Sequence, residues 1–441
     1  MNKRLPLLVH HVMYNLRGGF LVRPLVIALT LGAAGALLSW VEEAVPEVSA
    51  WVPRAIFPSH ADPQVAQVIL GGIGASIMTV VSIVFAILLM TLTLASMQFS
   101  PRILLSFARD GVTQWTLGIF LGTFSYCMAA LPAARSLPHP FAPVATVLGA
   151  MVLALACVCW LLFFIHHISQ AISVNQIVDK IAAETEAVIL DMMPWPRKLY
   201  RIAVDERVEA LKWELPVTNN TSGYIRFVDI KQLVALAKSY HVKMQVLRRV
   251  GHFVPEGVPF LMVSRAERVT PEHVAALRAA FDFGPSRTLQ QDVEFGVLQI
   301  VDIALKAISP AVNDPSTAIS CVDQLSRILI RVASREPPES NLYDPPGILR
   351  VYVPWIRFDR LLDSAFEQIR MYSKTDVAVS LRMLRALRDI ATTTQDPEIH
   401  RILIDRANRI VAGCAEHLGE DELKDIRGRL SALQTVLTPA R

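Results

Sequence analysis

The chain has 441 residues, 53% of them apolar and 19% charged, with a net charge of +4 at pH 7. That composition is rich in apolar residues for a soluble protein. The positive charge is small and dispersed and no basic–aromatic pattern accompanies it, which argues against nucleic-acid binding and for contact with an anionic lipid leaflet.

Four long apolar stretches precede residue 170: Leu21–Val41, Val68–Ser96, Trp115–Leu131 and Val144–Phe164. Backbone in lipid must satisfy its own hydrogen bonds, so each stretch predicts a membrane-spanning helix. The first is read as an uncleaved span: it follows a long basic segment with Lys3, Arg4 and Arg17, and three more spans follow it. Lys and Arg alternate across the spans. Lys3, Arg4, Arg17 and Arg23 lie before or at the start of the first. Arg54 stands among Glu42, Glu43, Glu47 and Asp62 after it. Arg102 and Arg109 follow the second span, Arg135 alone the third, and Lys180, Arg197 and Lys198 the fourth. The positive-inside tendency then places both termini and everything after the fourth span in the cytoplasm.

The second span is overlong. Gln67–Arg102 would form roughly 54 Å of helix, against a hydrocarbon core of about 30 Å. Ala75, Thr79, Ser82, Ala86, Leu89, Thr93, Ser96 and Ser100 recur at steps of three and four and make one small, weakly polar stripe. Two readings stay open. The stripe is a tight packing seam whose hydroxyls bond back to the preceding turn. Alternatively it lines a pore between subunits, with Leu89 as the apolar constriction. At the inner end Gln98, Pro101 and Arg102 are interface candidates, Pro101 stopping the helix and Arg102 reaching headgroups. No charged residue falls within the four apolar cores, which disfavours a proton-coupled carrier. His166 and His167 end the fourth span, where interfacial His is common.

Residues 165–192 read as one helix leading out of the fourth span. SGYIRFVD (222–229) reads as a strand, IKQLVALAKSY (230–240) as a short amphipathic helix and VKMQVLRRV (242–250) as a strand. GHFVPEGVPFLMV (251–263) looks like strand–turn–strand and resembles the hairpin of biotinyl and lipoyl carrier domains. It lacks a Lys at the tip, so no attached cofactor is expected. This segment suggests a small β-barrel or sandwich. From Thr270 the chain turns helical, with Thr270 as cap, Pro271 at the first position and His273 where a capping box would have Glu or Gln. Later segments read as a Pro/Glu-rich linker (336–346), a strand (349–356) and amphipathic helices.

SPAVNDPSTAISCVDQL (309–325) is the sharpest motif. Pro310 ends one helix, and Asp314 caps the next, whose first position is Pro315. Ser316 and Thr317 sit in that first turn, where free N–H groups suit a small anion. The bland reading is a rigid corner between packed helices. Asp292, Glu294, Asp302, Asn313 and Asp314 could also converge on a cation, though acids beside a helix corner are more often structural. No phosphate loop, zinc-protease motif, nucleophile elbow or clustered His/Cys/Asp set is present, so no catalytic residue, metal or cofactor is assigned and the chain is not read as an enzyme. The five cysteines read as free buried thiols.

At SPAVNDPSTA the chain resembles a large family of predicted bacterial inner-membrane proteins, catalogued as domain of unknown function 2254. QFSPR (98–102), GIFLGTFSY (118–126), DVEFGVLQIVDIALKAISPAVNDPSTA (292–318) and IRMYSKTDVAV (369–379) carry the resemblance. It implies several spans plus a cytoplasmic module, with Gln98, Pro101, Arg102, Asn313, Asp314 and Pro315 as landmarks and no activity attached.

The expectation is an α-helical polytopic membrane protein with four transmembrane helices and a C-terminal cytoplasmic α+β domain. Its parts are a membrane domain (1–170), a helical connector (171–215), a small β-rich domain (216–268) and a mainly helical domain (269–441). The favoured function is a homo-oligomeric channel or permeation protein for ions or small solutes. The alternative is a membrane-anchored signalling or scaffolding protein that binds a ligand or partner. Expected partners are the lipid bilayer, further copies of the chain and an inorganic ion or small anion.

Overall fold

The computed structural model describes residues 21–45, 47–50, 62–98, 111–136, 140–171, 173–193, 212–344 and 347–437. The chain divides into two compact units, residues 1–173 and 174–441.

The first unit holds α1 (Val22–Ala44), α2 (Pro63–Gln98), α3 (Gly111–Ala130) and α4 (Val144–Ala171). All four contain a stretch long and apolar enough to cross a membrane. Helix α2 runs for 36 residues, or about 54 Å. Half of the most apolar window of α3 is buried, against 17% for each of the others, so α3 is the hub of the unit. Small residues let its neighbours approach. At Gly35 of α1 a Cβ would stand 2.6 Å from the Tyr126 carbonyl oxygen of α3. Between α3 and α4, Trp160 Nε1 donates to Thr116 Oγ1 at 2.9 Å, and Thr123 Oγ1 lies 3.3 Å from Cys157 Sγ.

Glu42, near the end of α1, has no exposed surface. Its carboxylate accepts from Ser49 Oγ (2.7 Å), Ala145 N (2.8 Å), Thr146 N (3.0 Å) and Thr146 Oγ1 (2.9 Å). It caps α4 from another helix: an anion sits on the free N–H groups of the first turn. Glu43 beside it pairs with Arg135.

The second unit begins with α5 (Val174–Met192). Since α4 ends at Ala171 and Ser173 is not helical, the single helix expected over 165–192 is two helices. Two sheets follow. One has the order β1 (Leu215–Thr218), β5 (Pro259–Val263), β3 (Met244–Val246), β8 (Ile348–Tyr352), β7 (Asn341–Asp344); only β3 and β8 are parallel. The other has the order β4 (Phe253–Val254), β2 (Gly223–Val228), β6 (Phe281–Gly284), all antiparallel. They share one apolar core, including Ile225, Leu233, Phe260, Leu261 and Val351, with α6 (Ile230–Ser239) and α7 (Pro271–Ala279).

Three expectations change here. The 251–263 segment is no hairpin, because β4 and β5 belong to different sheets. The β structure does not close within 216–268 but takes β6, β7 and β8 from later in the chain. Part of the Pro/Glu-rich linker is strand β7, held by its ladder to β8. Cross-chain pairing decides all three, and local pattern does not report it.

The remaining helices are α8 (Val293–Ala307), α9 (Pro315–Ala333), α10 (Phe358–Tyr372), α11 (Val377–Ala391), α12 (Pro397–Ala415) and α13 (Glu420–Leu437). Helix α5 packs on α8 and α9. At Gly296 of α8 a Cβ would stand 2.0 Å from Thr185 Oγ1 of α5. Buried Glu186 pairs with Arg327 (2.6 Å) and Arg331 (3.3 Å) of α9. Four of the cysteines are buried free thiols, while Cys159 is exposed.

Glu42→Ala removes the acceptor for two backbone N–H groups and two hydroxyls in a buried site. Leaving such donors unpaired costs about 1–3 kcal/mol each. Thermal unfolding in detergent should show E42A markedly less stable, and more so than the exposed-pair variant E43A. Equal melting of the two would remove Glu42 as a cap.

Candidate functional site

Three places in the described chain carry the residues singled out from sequence. The first is the stripe on α2. Ala75, Thr79, Ser82, Ala86, Leu89 and Thr93 are all exposed, whereas Ala66, Leu70, Gly74, Ile77, Val84 and Thr91 are buried. At about 100° per residue the two sets lie on opposite sides of the helix. The stripe is therefore not a seam within the chain. Its hydroxyls are satisfied locally: Thr79 Oγ1 donates to the Ala75 carbonyl (3.1 Å), Ser82 Oγ to Met78 (3.0 Å) and Thr93 Oγ1 to Leu89 (2.8 Å). Larger apolar residues border it, Met78 and Phe85 on one side, Ile83 and Met90 on the other, all exposed. Ser96 and Gln98 lie in the last turns of α2, and Ser100, Pro101 and Arg102 fall outside the described residues.

The second place is the corner between α8 and α9. Asn313 takes a left-handed conformation (φ 49°). The Asp314 N–H donates to the Ala307 carbonyl at 2.8 Å, closing the end of α8. Asp314 then caps α9, accepting from Thr317 N (3.1 Å) and Thr317 Oγ1 (2.6 Å), with Pro315 at the first helical position. These bonds from Thr317 hold the Asp314 carboxyl below its ordinary range. The first-turn donors that suited an external anion are thus engaged by the chain's own carboxylate.

The third is an ion cluster where α8 begins, which the sequence reading did not assemble. Asp292 is buried and caps α8 through Phe295 N (3.1 Å). Arg287 donates to both of its oxygens, from Nε at 2.8 Å and Nη2 at 2.9 Å. The same Nη2 reaches Glu294 at 3.1 Å, and Arg249 Nη2 reaches Glu294 at 2.9 Å. Ser364 Oγ of α10 donates to the other Glu294 oxygen at 3.0 Å. Burial pushes the Asp292 carboxyl up despite Arg287. Burial also opposes the charge on Glu294, but Arg249, Arg287 and Ser364 together hold its carboxyl below the ordinary range. Burial, then Arg249, pulls the nearby His252 imidazole down. Gly251 (φ 88°) makes room, since a Cβ there would stand 2.2 Å from Asp292 Oδ2. A pocket beside the cluster is lined by Met192, Met193, Arg249, Asp292, Glu294 and Trp355, among others. Two cations and two anions balance, and each anion holds several donors, so the cluster fixes geometry rather than offering a reactive group.

The expected convergence of Asp292, Glu294, Asp302, Asn313 and Asp314 does not occur. Asp292 caps the start of α8, Asp302 lies within it, and Asn313 and Asp314 follow its far end. Fifteen helical residues separate those ends by about 22 Å. Among the described residues no group of three or more His, Cys, Asp or Glu is placed to hold a metal ion. Arg287 was within sight in the sequence, five residues before Asp292, but Arg249 and Ser364 arrive only through the fold.

The class of protein is set by four helices suited to crossing a membrane, followed by an α+β unit. Within that class the chain belongs to the family catalogued as domain of unknown function 2254, described as predicted membrane protein, whose profile matches residues 17–389. It is 30% identical over 409 residues to uncharacterized proteins of Mycobacterium tuberculosis (strain H37Rv) and Mycobacterium bovis, covering 90% of this chain and 76% of each relative. No solved structure matches it at a significant level.

Three outcomes follow for the second unit. Arg287→Ala leaves Asp292 buried without its cation, a loss of about 3–5 kcal/mol, whereas Arg249→Ala leaves Glu294 with Arg287 and Ser364. Urea unfolding should rank R287A well below R249A; the reverse order would refute the assignment. The Glu294 contribution, from a lowered pKa, is present above the ordinary carboxylate range and lost as pH falls through the folded value. At the corner, Asp314→Ala should lose about 0.5–2 kcal/mol while Asp314→Asn, still a good cap, stays near wild type. Equal stability of all three would remove the cap from the account.

Proposed function

We propose that the protein is a homo-oligomeric channel or permeation protein of the bacterial inner membrane, with both termini in the cytoplasm. The conduit lies between copies, along the outward face of α2, and passes ions or small solutes. The observation that carries this reading is the stripe itself. The small, weakly polar face of α2 is turned away from its own chain, opposite the packing face. Small residues at such a face let helices of neighbouring copies approach closely. Leu89, exposed on that face, is the apolar constriction. The alternation of Lys and Arg in the sequence supports the orientation. The lack of a recognisable nucleophile or metal set supports a role without catalysis, and the dispersed charge supports lipid rather than nucleic acid as partner. A second reading, a membrane-anchored signalling protein, draws on the pocket beside Arg249 and Glu294, where an ion or small anion would bind.

Purified full-length protein in liposomes should pass K⁺, Cl⁻ or a small neutral solute, and Leu89→Ser should raise that flux. Ala86→Cys, on the stripe, should cross-link between copies, while Leu155→Cys on α4 should not. Cross-linking without flux of any of the three probes moves the assignment to the second reading. Absence of both removes the oligomeric channel altogether.

A further inference from the structure

Two independent registers fix which end of the second unit holds its first residue. Along α5 and α9, Asp179 and Glu186 meet Arg327, Glu186 also meets Arg331, and Arg335 donates to the Met193 carbonyl. The two helices therefore run in the same direction, and Val174 is level with the first turn of α9. Along α5 and α8, Thr185 meets Gly296, and Met192 and Met193, at and just past the end of α5, line a pocket with Asp292 and Glu294 at the start of α8. These two run in opposite directions, which puts Val174 level with Ala307, the last residue of α8. Both registers set Val174 beside the corner at residues 308–314.

The turn between α10 and α11 shares this end. Trp355 and Ile356 line a pocket with Asp292 and Glu294, so α10 begins near the start of α8, and Ser364 bonds Glu294. Helix α10 packs along α8 and α9 and so finishes toward the corner. Arg382, early in α11, pairs with Asp323 in the first half of α9. This end presents exposed apolar and aromatic side chains: Val312 at 52%, Met371 at 53% and Tyr372 at 71%. Pro310 and Ala311 are exposed beside Val312. Hydrogen bonds hold the tip: Asn313 N–H donates to the Ser309 carbonyl, Asp314 N–H to the Ala307 carbonyl, and Asp314 accepts from Thr317. Lys180 and Lys374 supply cations at the same end. The nearby acids are engaged, Asp314 and Asp376 as helix caps and Asp179 with Arg327.

We infer that this end of the second unit, with Val312 at the corner and Met371 and Tyr372 at the α10–α11 turn, docks on the phospholipid headgroup surface. The covalent chain supplies the proximity. Ala171 ends α4 and Val174 begins α5, three residues later, a span of at most about 11 Å. If α4 crosses the bilayer, as the proposed function requires, this end is held at the interface. Apolar side chains, a tyrosine and lysines are the residue types that such an interface takes up.

Spin labels at Val312→Cys, Tyr372→Cys, Leu247→Cys and Leu155→Cys test this in the full chain on a Cys159→Ser background. The protein is reconstituted in vesicles of phosphatidylcholine and phosphatidylglycerol. Accessibility to oxygen and to a water-soluble nickel chelate is read at each site. Leu247 adjoins Arg249 at the opposite end of the unit and is the aqueous reference. Leu155, exposed on α4, reports whether that helix lies in lipid. The expected result is an oxygen-to-nickel ratio several-fold higher at 312 and 372 than at 247. Nickel access at 312 and 372 equal to that at 247, with 155 in lipid, overturns the docking alone. Low access to both reagents at 312 and 372 means a protein contact covers them and also overturns it. Nickel access at 155 overturns the span on which the inference rests.

Discussion

At Gly296 there is no room for a side chain: Thr185 Oγ1 occupies the place where a Cβ would begin. That approach brings α5 onto the backbone of α8, and buried Glu186 locks the same helix to Arg327 and Arg331 of α9. The segment that follows the last apolar helix is thereby built into the helical layer of the second unit instead of hanging from it as a tether. Once α5 is set, the directions of α8 and α9 relative to it follow, and so does the position of the corner between them. Substituting any side chain at 296 would separate α5 from α8 and lose both the burial of Ile181 and Ile189 and the geometry of the Glu186 pairs.

The first unit solves a different problem with similar means. Polar groups in an apolar unit must be satisfied internally. The α2 hydroxyls bond back to their own helix, Thr116 takes the Trp160 indole, and Glu42 closes the first turn of α4. Close packing is concentrated on α3. The consequence is an asymmetric α2: Leu70, Ile77 and Val84 pack within the chain, while the small, weakly polar stripe is left outward between exposed Met78, Phe85, Ile83 and Met90. A helix meant only to sit in lipid gains nothing from that arrangement, since large apolar side chains fill the lipid boundary better. The exposed rows of α4, with Val152, Leu155, Val158 and Leu162, have that lipid-suited character; the α2 stripe does not.

Local chemistry was legible in the sequence and long-range pairing was not. The four apolar helices follow from hydropathy, and the length of α2 from the same run of residues. Asp314 announces itself as a cap because Asp–Pro at a helix start has few other uses. At Thr270 the expected departure from a capping box is filled by His273, whose Nδ1 accepts from the Thr270 N–H at 3.3 Å. The gap was in the rule, which names Glu and Gln, since any acceptor at that reach serves. The β structure misled for the opposite reason. Phe253–Val254 and Pro259–Val263 read as a hairpin because a Pro-Glu-Gly turn separates them, yet each finds a better partner elsewhere, β2 for one and β1 with β3 for the other. The acids of residues 292–314 looked like one site because they are close in sequence. A straight helix between them converts that closeness into distance.

The same helix explains why two specific motifs at its ends serve unlike ends of the unit. Around Asp292 and Glu294 the charges are buried or half-buried, balanced and tied to β3–β4, α8 and α10 at once, through Arg249, Arg287 and Ser364. Removing charge there unpairs a neighbour, so the cluster constrains how the sheets meet the helices. Around Asp314 the carboxylate is only partly buried and bonded to its own helix, and the residues before it, Pro310 to Asn313, are turned to solvent. A corner needed only for folding would be served by any short polar loop. Its exposed Pro–Ala–Val tip adds nothing to the packing of α8 against α9, and it lies beside Val174, the first residue of α5. The two ends of α8 thus differ in kind, with paired charge built into the fold at its start and an exposed turn at its finish.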